Sequence, residues 1–219
     1  STYIMVASIW YFFLSLALNR LRPYKLAQQA IGDAILSTAK YMHLKALMYD
    51  KHTDYDENYR SLIDRQITLH AKQDLVREIL FKTRSIVKES THKGRTLLAV
   101  FKDTVDLFEQ IMSSHVSYKL LHGVIDEELL GSFEKTIAGV ATELEFIGIA
   151  MQSGNRSVPH HSTAQAISEL EVYFDNYWNR FLDSTNAEAL SSLRQVIENI
   201  KSIHSRILIM HRYTAYDPG

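Results

Sequence analysis

Cysteine is absent from the 219 residues, which excludes disulfides, thiolate nucleophiles and every cysteine-ligated zinc or iron–sulfur centre. Proline and glycine are scarce, three and eight, about 5% of the chain against a usual sum of roughly 12%. Turns and sheet corners draw on those residues, so a β-sandwich or barrel fits poorly and few long elements are expected. Neither sign of charge is in excess, with 24 Lys and Arg against 25 Asp and Glu and a pI near 6.8. The chain lacks a global basic field, and no nucleic-acid partner is expected. It also lacks a glycine-rich phosphate loop, a His-Glu-x-x-His zinc helix and a nucleophile elbow.

Residues 1–19 contain none of the charged residues. From Tyr3 to Leu18 only Ser8 and Ser15 are polar, and the run offers a helix no face for water. Arg20, Arg22 and Lys25 then arrive together, the order of a transmembrane helix followed by a cytoplasmic basic flank. At ~1.5 Å per residue, Tyr3–Asn19 spans roughly 25 Å, just short of a ~30 Å hydrocarbon core. Ser1 in place of an initiating methionine predicts a piece of a longer chain that has lost the start of this helix. A signal peptide carries its charge before the apolar stretch and a small-residue cleavage site after it, which Asn19-Arg20-Leu21 is not. A fully buried helix of a soluble bundle is the other reading. The eight Leu, Ile, Phe and Val residues favour insertion by roughly 2.4–4.8 kcal/mol, but a core helix would collect similar residues. The one-sided basic flank favours the membrane. Residues 1–19 are therefore expected to end a transmembrane helix, and Trp10, Arg20, Arg22 and Lys25 to mark the membrane interface.

Residues 20–219 read as long helices. Pro23 is placed either to kink the chain or to open a helix at its first turn. Ile31, Ile35, Ala39, Met42, Ala46 and Tyr49 then recur at helical spacing, and Lys51–Asp56 form a turn. A second helix is expected over 57–89, a break or bend at Thr91–Gly94, and a third helix carrying Leu97, Phe101, Val105, Phe108, Met112 and His115. The fourth has the cleanest stripe, Leu129, Phe133, Ile137, Val140, Leu144, Ile147 and Met151, with Asp126 placed to cap it. Gly131, Gly139 and Gly148 lie inside that pattern at ~1 kcal/mol each, which predicts another helix passing close by. The loop 153–159 follows. Ser162 with Gln165 and Thr185 with Glu188 have capping-box spacing and open the fifth and sixth helices. No strand candidate survives, and the fold class is all-α: an elongated bundle of about six long helices, the first continuing from a transmembrane helix. Phe108, Phe133, Ile137, Leu144, Phe174 and Ile197 are the expected core.

Groups that could carry chemistry are few. A carboxylate-bridged di-iron bundle needs two Glu-x-x-His pairs, and only Glu89-Ser90-Thr91-His92 fits. The adjacent pair His160-His161 reads as solvated loop residues, and His115 and His204, on apolar stripes, as hydrogen-bonded core histidines. Asp103, Asp106 and Glu109 share one helix face and read as a solvated acidic face. No catalytic residue, cofactor or metal is expected, and the chain is not read as an enzyme.

One resemblance runs the length of the chain. Leu21-Arg22-Pro23-Tyr24-Lys25-Leu26-Ala27-Gln28-Gln29-Ala30 after an apolar helix, Lys93-Gly94-Arg95-Thr96-Leu97-Leu98 leading into Asp103–His115, Glu145–Gly154 and Tyr216-Asp217-Pro218 resemble the YccS/YhfK group of bacterial inner-membrane proteins. These are related to fusaric-acid-resistance and aromatic-acid exporter proteins. The resemblance implies a first membrane half, a cytoplasmic helical domain, then a second membrane half. This chain would be the last helix of the first half (1–19) plus the cytoplasmic domain (20–219), at the bacterial inner membrane. Its implied partners are the lipid bilayer, the membrane halves of the same polypeptide and a second copy of the chain. The implied function is a regulatory, scaffolding or oligomerisation domain of a transporter-like efflux protein. The alternative is a soluble helical adaptor that docks its apolar N-terminus into a partner.

Deleting residues 1–19 should leave a soluble protein whose far-ultraviolet circular dichroism is still helical. Loss of that signal would make the run a core helix.

Overall fold

The computed structural model describes residues 2–82, 92–114 and 116–214, and among these the side chains of all but 2–9, 13–23, 92 and 93. Seven helices and no strand are found among the described residues: α1 (Thr2–Leu47), α2 (Tyr55–Lys82), α3 (His92–Ser113), α4 (Tyr118–Val124), α5 (Glu127–Ser153), α6 (His161–Phe181) and α7 (Ala187–Thr214). The all-α reading holds. The count of about six long helices misses α4, a seven-residue helix too short to show a periodicity.

Pro23 neither breaks nor restarts the helix. α1 continues through it for 46 residues, about 69 Å, and the missing amide costs one hydrogen bond of a long ladder. The turn after it closes on Asp50, whose carboxylate accepts from the His52 amide (2.9 Å) and the Thr53 hydroxyl (3.1 Å). Asp54 then caps α2, accepting from the amides of Asp56 (3.0 Å) and Glu57 (3.1 Å). Of the second expected helix, 83–89 lies outside the described residues, as do Thr91 in the predicted break and His115.

The cap at α5 is as expected: Asp126 accepts from the Leu129 amide at 2.7 Å. The helix ends on Gly154 in the left-handed region (φ 73°), where a Cβ would be strained, and the amides of Gly154 and Asn155 both return to the Ala150 carbonyl. The other two caps differ. α6 begins after His160 with no side-chain cap, and Gln165 donates forward to Glu169 (2.8 Å) rather than back. A distant carboxylate fixes the entry instead, because the His160 amide donates to Glu143 at 3.0 Å. At α7 the Asp183 carboxylate takes the amides of Thr185 (2.8 Å) and Asn186 (2.9 Å), so the helix starts at Ala187 and Thr185 is not its cap.

α1 is the middle of the bundle, packed by α2, α3 and α5; α5 in turn carries α6 and α7. All six expected core residues are buried. Tyr49 stacks on Phe133 (5.8 Å between ring centres) and Phe133 meets Phe174 edge-on (6.1 Å), joining the end of α1 to α5 and α6.

Only one of the three α5 glycines marks a close helix. A Cβ at Gly148 would lie 2.7 Å from Leu36 and 3.2 Å from the Gly32 carbonyl oxygen, and one at Gly32 would lie 2.9 Å from the Gly148 carbonyl. A Cβ on Gly131 or Gly139 would meet nothing. Opposite signs follow. Gly148→Ala should destabilise by about 1–3 kcal/mol through overpacking, and Gly139→Ala should stabilise by up to about 1 kcal/mol through helix propensity. Urea midpoints of the two variants check this; a shift in the same direction would refute the close crossing.

Candidate functional site

The expected interface residues lie on α1. Trp10, Tyr11 and Phe12 are 71%, 73% and 62% exposed. Three successive helical residues point about 100° apart, so more than half the circumference is uncovered at that level. Among the described side chains of α1, Ala27 is the first that is buried, some 22 Å beyond Phe12 along the axis. Lys25 is exposed; the side chains of Arg20 and Arg22 lie outside the described residues. Among the described residues no helix is long and apolar enough to cross a membrane, and the run Tyr3–Leu18 falls largely outside the side chains described.

Below Lys25 the stem is fastened by polar contacts on both sides of the glycine crossing. Gln28 donates to the Met151 carbonyl (2.8 Å), Gln152 donates to Asp33 (2.6 Å), and Lys72 of α2 pairs with the same carboxylate (3.1 Å). At this end Tyr24, Gln28, Thr96, Gly154, Tyr213 and Thr214 line a cavity of about 120 Å³, where α1, α3, the end of α5 and the end of α7 meet. The Ser157 amide donates to Thr214 (2.8 Å), tying the loop to α7.

Glu143, a buried carboxylate, lies next to this end of the bundle. It is 1% exposed and faces His211 Nε2 at 3.2 Å and His204 Nε2 at 3.4 Å, both from α7, as well as the His160 amide. Burial pushes its carboxyl up, but the polar groups of His204, His211, the His160 amide and Thr163 around it outweigh that and hold it well below the usual carboxylate range. His211 Nδ1 is buried without a partner, so a proton on Nε2, donating to Glu143, leaves no ring donor unpaired. The two rings sit two turns apart on α7 and approach different oxygens. Among the described residues no three His, Asp or Glu side chains are arranged to hold a metal ion.

The remaining sequence candidates fall in different places. His160 stacks on Phe146 (4.8 Å), and His161 starts α6, exposed. Glu89 and His115 lie outside the described residues, as does the side chain of His92. The acidic face of α3 is not merely solvated. Asp103 accepts from the Tyr213 hydroxyl (2.9 Å), and Arg206 of α7 reaches Asp103 (3.5 Å) and Asp106 (3.4 Å), because α7 packs along that face. Glu143 was missed, although it stands between Val140 and Ile147 at steps of three and four, a charge inside an apolar stripe. Lys45 carries the same signal between Met42 and Tyr49. It donates to the Ile111 and Ser114 carbonyls at the end of α3, and burial pushes its ammonium down to about 8.

Because the folded Glu143 carboxyl binds its proton less readily than the unfolded one, its stabilisation is complete above the ordinary value of 4.5 and drains away as pH falls. Glu143→Gln should cost about 3–5 kcal/mol at neutral pH and flatten the acid side of the stability profile. Urea midpoints of both proteins between neutral and acid pH check this; parallel profiles would count against it.

A family model described as FUSC-like inner membrane protein yccS matches residues 1–207, nearly the whole chain. No curated protein and no solved structure matches it. The exposed aromatic stem, the glycine-locked helix that continues from it and this match agree, and the chain belongs to the FUSC-like inner membrane protein yccS family.

Proposed function

We propose that residues 20–219 are the cytoplasmic helical domain of a transporter-like inner-membrane protein, and that residues 1–19 end a transmembrane helix. The domain's role is regulatory, scaffolding or oligomerising, in an efflux context, and it turns over no substrate itself. The observation that supports this best is the continuity of α1: one helix carries the apolar run from an uncovered stem into the middle of the bundle, where Gly32 and Gly148 lock it to α5. A rigid connection of that kind transmits movement or position between a membrane segment and a folded domain. Its partners on this reading are the bilayer, the membrane halves of the same polypeptide and a second copy of the domain.

The competing reading, a soluble adaptor, uses the same exposed Trp10–Phe12 surface to dock on a partner helix. Fractionation of expressing cells separates them. The chain should stay in the membrane pellet after alkaline carbonate extraction, and its bundle should be digested by protease in inverted vesicles but protected in intact spheroplasts. Recovery in the soluble fraction would favour the adaptor, and digestion in spheroplasts would reverse the orientation.

A further inference from the structure

Charge is unevenly divided between the two ends of the bundle. At the end where the stem enters, the stretches 24–32, 92–102, 146–168 and 199–214 contain no Asp or Glu, and the carboxylates that the antiparallel α2 brings there, Asp74 and Glu78, are taken up by Arg77 and Lys82 of the same helix. The first carboxylate beyond Lys25 on α1 is Asp33, and the first beyond Arg95 on α3 is Asp103, each about 12 Å along its helix. On α7 the nearest to Arg212 is Glu198, about 21 Å away. At the opposite end Asp50, Asp54, Asp56, Glu57, Asp126 and Asp183 gather around the starts of α2, α5 and α7, where several of them accept backbone amides.

Lack of a partner alone does not mark this end, since Lys40, Arg60, Arg65, Lys119, Lys135 and Arg180 elsewhere are also exposed without a described carboxylate partner; what marks it is the scarcity of carboxylates around its cations. On α3 and α7 the deeper cations are neutralised: Lys102 by Asp106 (2.8 Å), Arg206 by Asp103 and Asp106, and Lys201 by Glu171 (2.9 Å) and Glu198 (3.4 Å). On α2, Lys82 is paired with Glu78. Lys25, Arg95, Arg156 and Arg212 are exposed and pair with no described carboxylate. They come from α1, α3, the α5–α6 loop and α7, the four segments that meet around the 120 Å³ cavity. Helix ends explain two of them. Arg212 suits the C-terminus of α7 and Arg156 follows the C-cap of α5 by two residues, but Arg95 sits in the first turn of α3, where the helix dipole disfavours a cation, and Lys25 is inside α1.

We infer that this end of the bundle is a headgroup-binding face: Lys25, Arg95, Arg156 and Arg212 rest on the anionic phospholipids of the leaflet that the stem enters. The occupant follows from complementary charge and from the apolar run that leaves the same end. Near an anionic surface each such cation strengthens attachment about fivefold, and the field reaches about one Debye length, roughly 10 Å at 0.1 M salt. The inference rests on the membrane reading of α1 but goes beyond it, since a stem alone would hold the bundle without setting its end face against lipid.

The lack of cysteine makes a clean test available. In the full chain, Asn155→Cys places one fluorophore at this end and Thr185→Cys places one at the other. Each labelled protein is reconstituted into nanodiscs containing a headgroup-attached quencher, made of phosphatidylcholine alone or with about one-third phosphatidylglycerol. The label at 155 should be quenched more strongly in the anionic discs, and about 1 M salt or the added pair Arg156→Glu and Arg212→Glu should return it to the phosphatidylcholine level. The label at 185 should be unaffected throughout. Equal quenching at 155 in both lipids, or quenching that survives the charge reversal, overturns the headgroup face while leaving the stem in place. A chain that does not co-purify with either disc overturns the membrane reading, and the face with it.

Discussion

Where α1 crosses α5, the bare backbones of Gly32 and Gly148 leave no room for a methyl group on either side, and the rest of the arrangement is built around that contact. It sets the separation of the two helices that carry most of the packing: α2 and α3 lie against α1, and α6 and α7 against α5. Interiors packed to this density resist small displacements, because moving one helix opens voids or forces overlaps along its whole length. The contact lies about one and a half turns beyond Ala27, the first buried side chain among those described on α1.

Polar groups then secure what the apolar stripes alone would leave free to slide. Asp33 accepts from two helices at once, Gln152 of α5 and Lys72 of α2. Glu143 binds the start of α6 and two positions on α7, and Lys45 of α1 closes the end of α3 through its last carbonyls. Each joins elements far apart in sequence, and each contact depends on register, since a shift of one residue would turn the side chain by about 100°. Exposed ion pairs such as that of Asp33 and buried ionic groups such as Glu143 are both weak sources of net stability, so their contribution here is to select one alignment among several that the apolar surfaces would tolerate.

The helices were legible because the stripes in α3, α5 and α7 keep steps of three and four over many turns, and a period is visible without knowing the partner. The Asp126 cap was legible for a similar reason, as a local device within four residues. What escaped was non-local. The capping boxes at Ser162 and Thr185 have the right spacing, but Glu143 fixes the entry to α6 from seventeen residues away and Asp183 closes the turn before α7. Of three glycines with the same local signature, only Gly148 meets a neighbouring backbone, and nothing within α5 distinguishes it. The acidic face of α3 likewise gained its meaning only from Arg206 and Tyr213, about a hundred positions later. The interface expected at Trp10 and Lys25 drew on a charge-free apolar run with basic residues on one flank, and both side chains are exposed on α1.

The bundle is entered past Tyr24 and left at Thr214, and both residues line the same cavity. Entry and exit are therefore neighbours, and the helices hang from that point like the arms of a pair of tongs held at the pivot. If Tyr24 and Thr214 were drawn apart, the strain would fall first on the cavity wall, on Gln28 with Met151 and Ser157 with Thr214, while the far end, some 40 Å away along helices such as α7, would swing through a larger arc. Leverage of this kind makes the remote tip, with Asp54 and Asp183, the place where a small change of spacing at the entrance would be most visible.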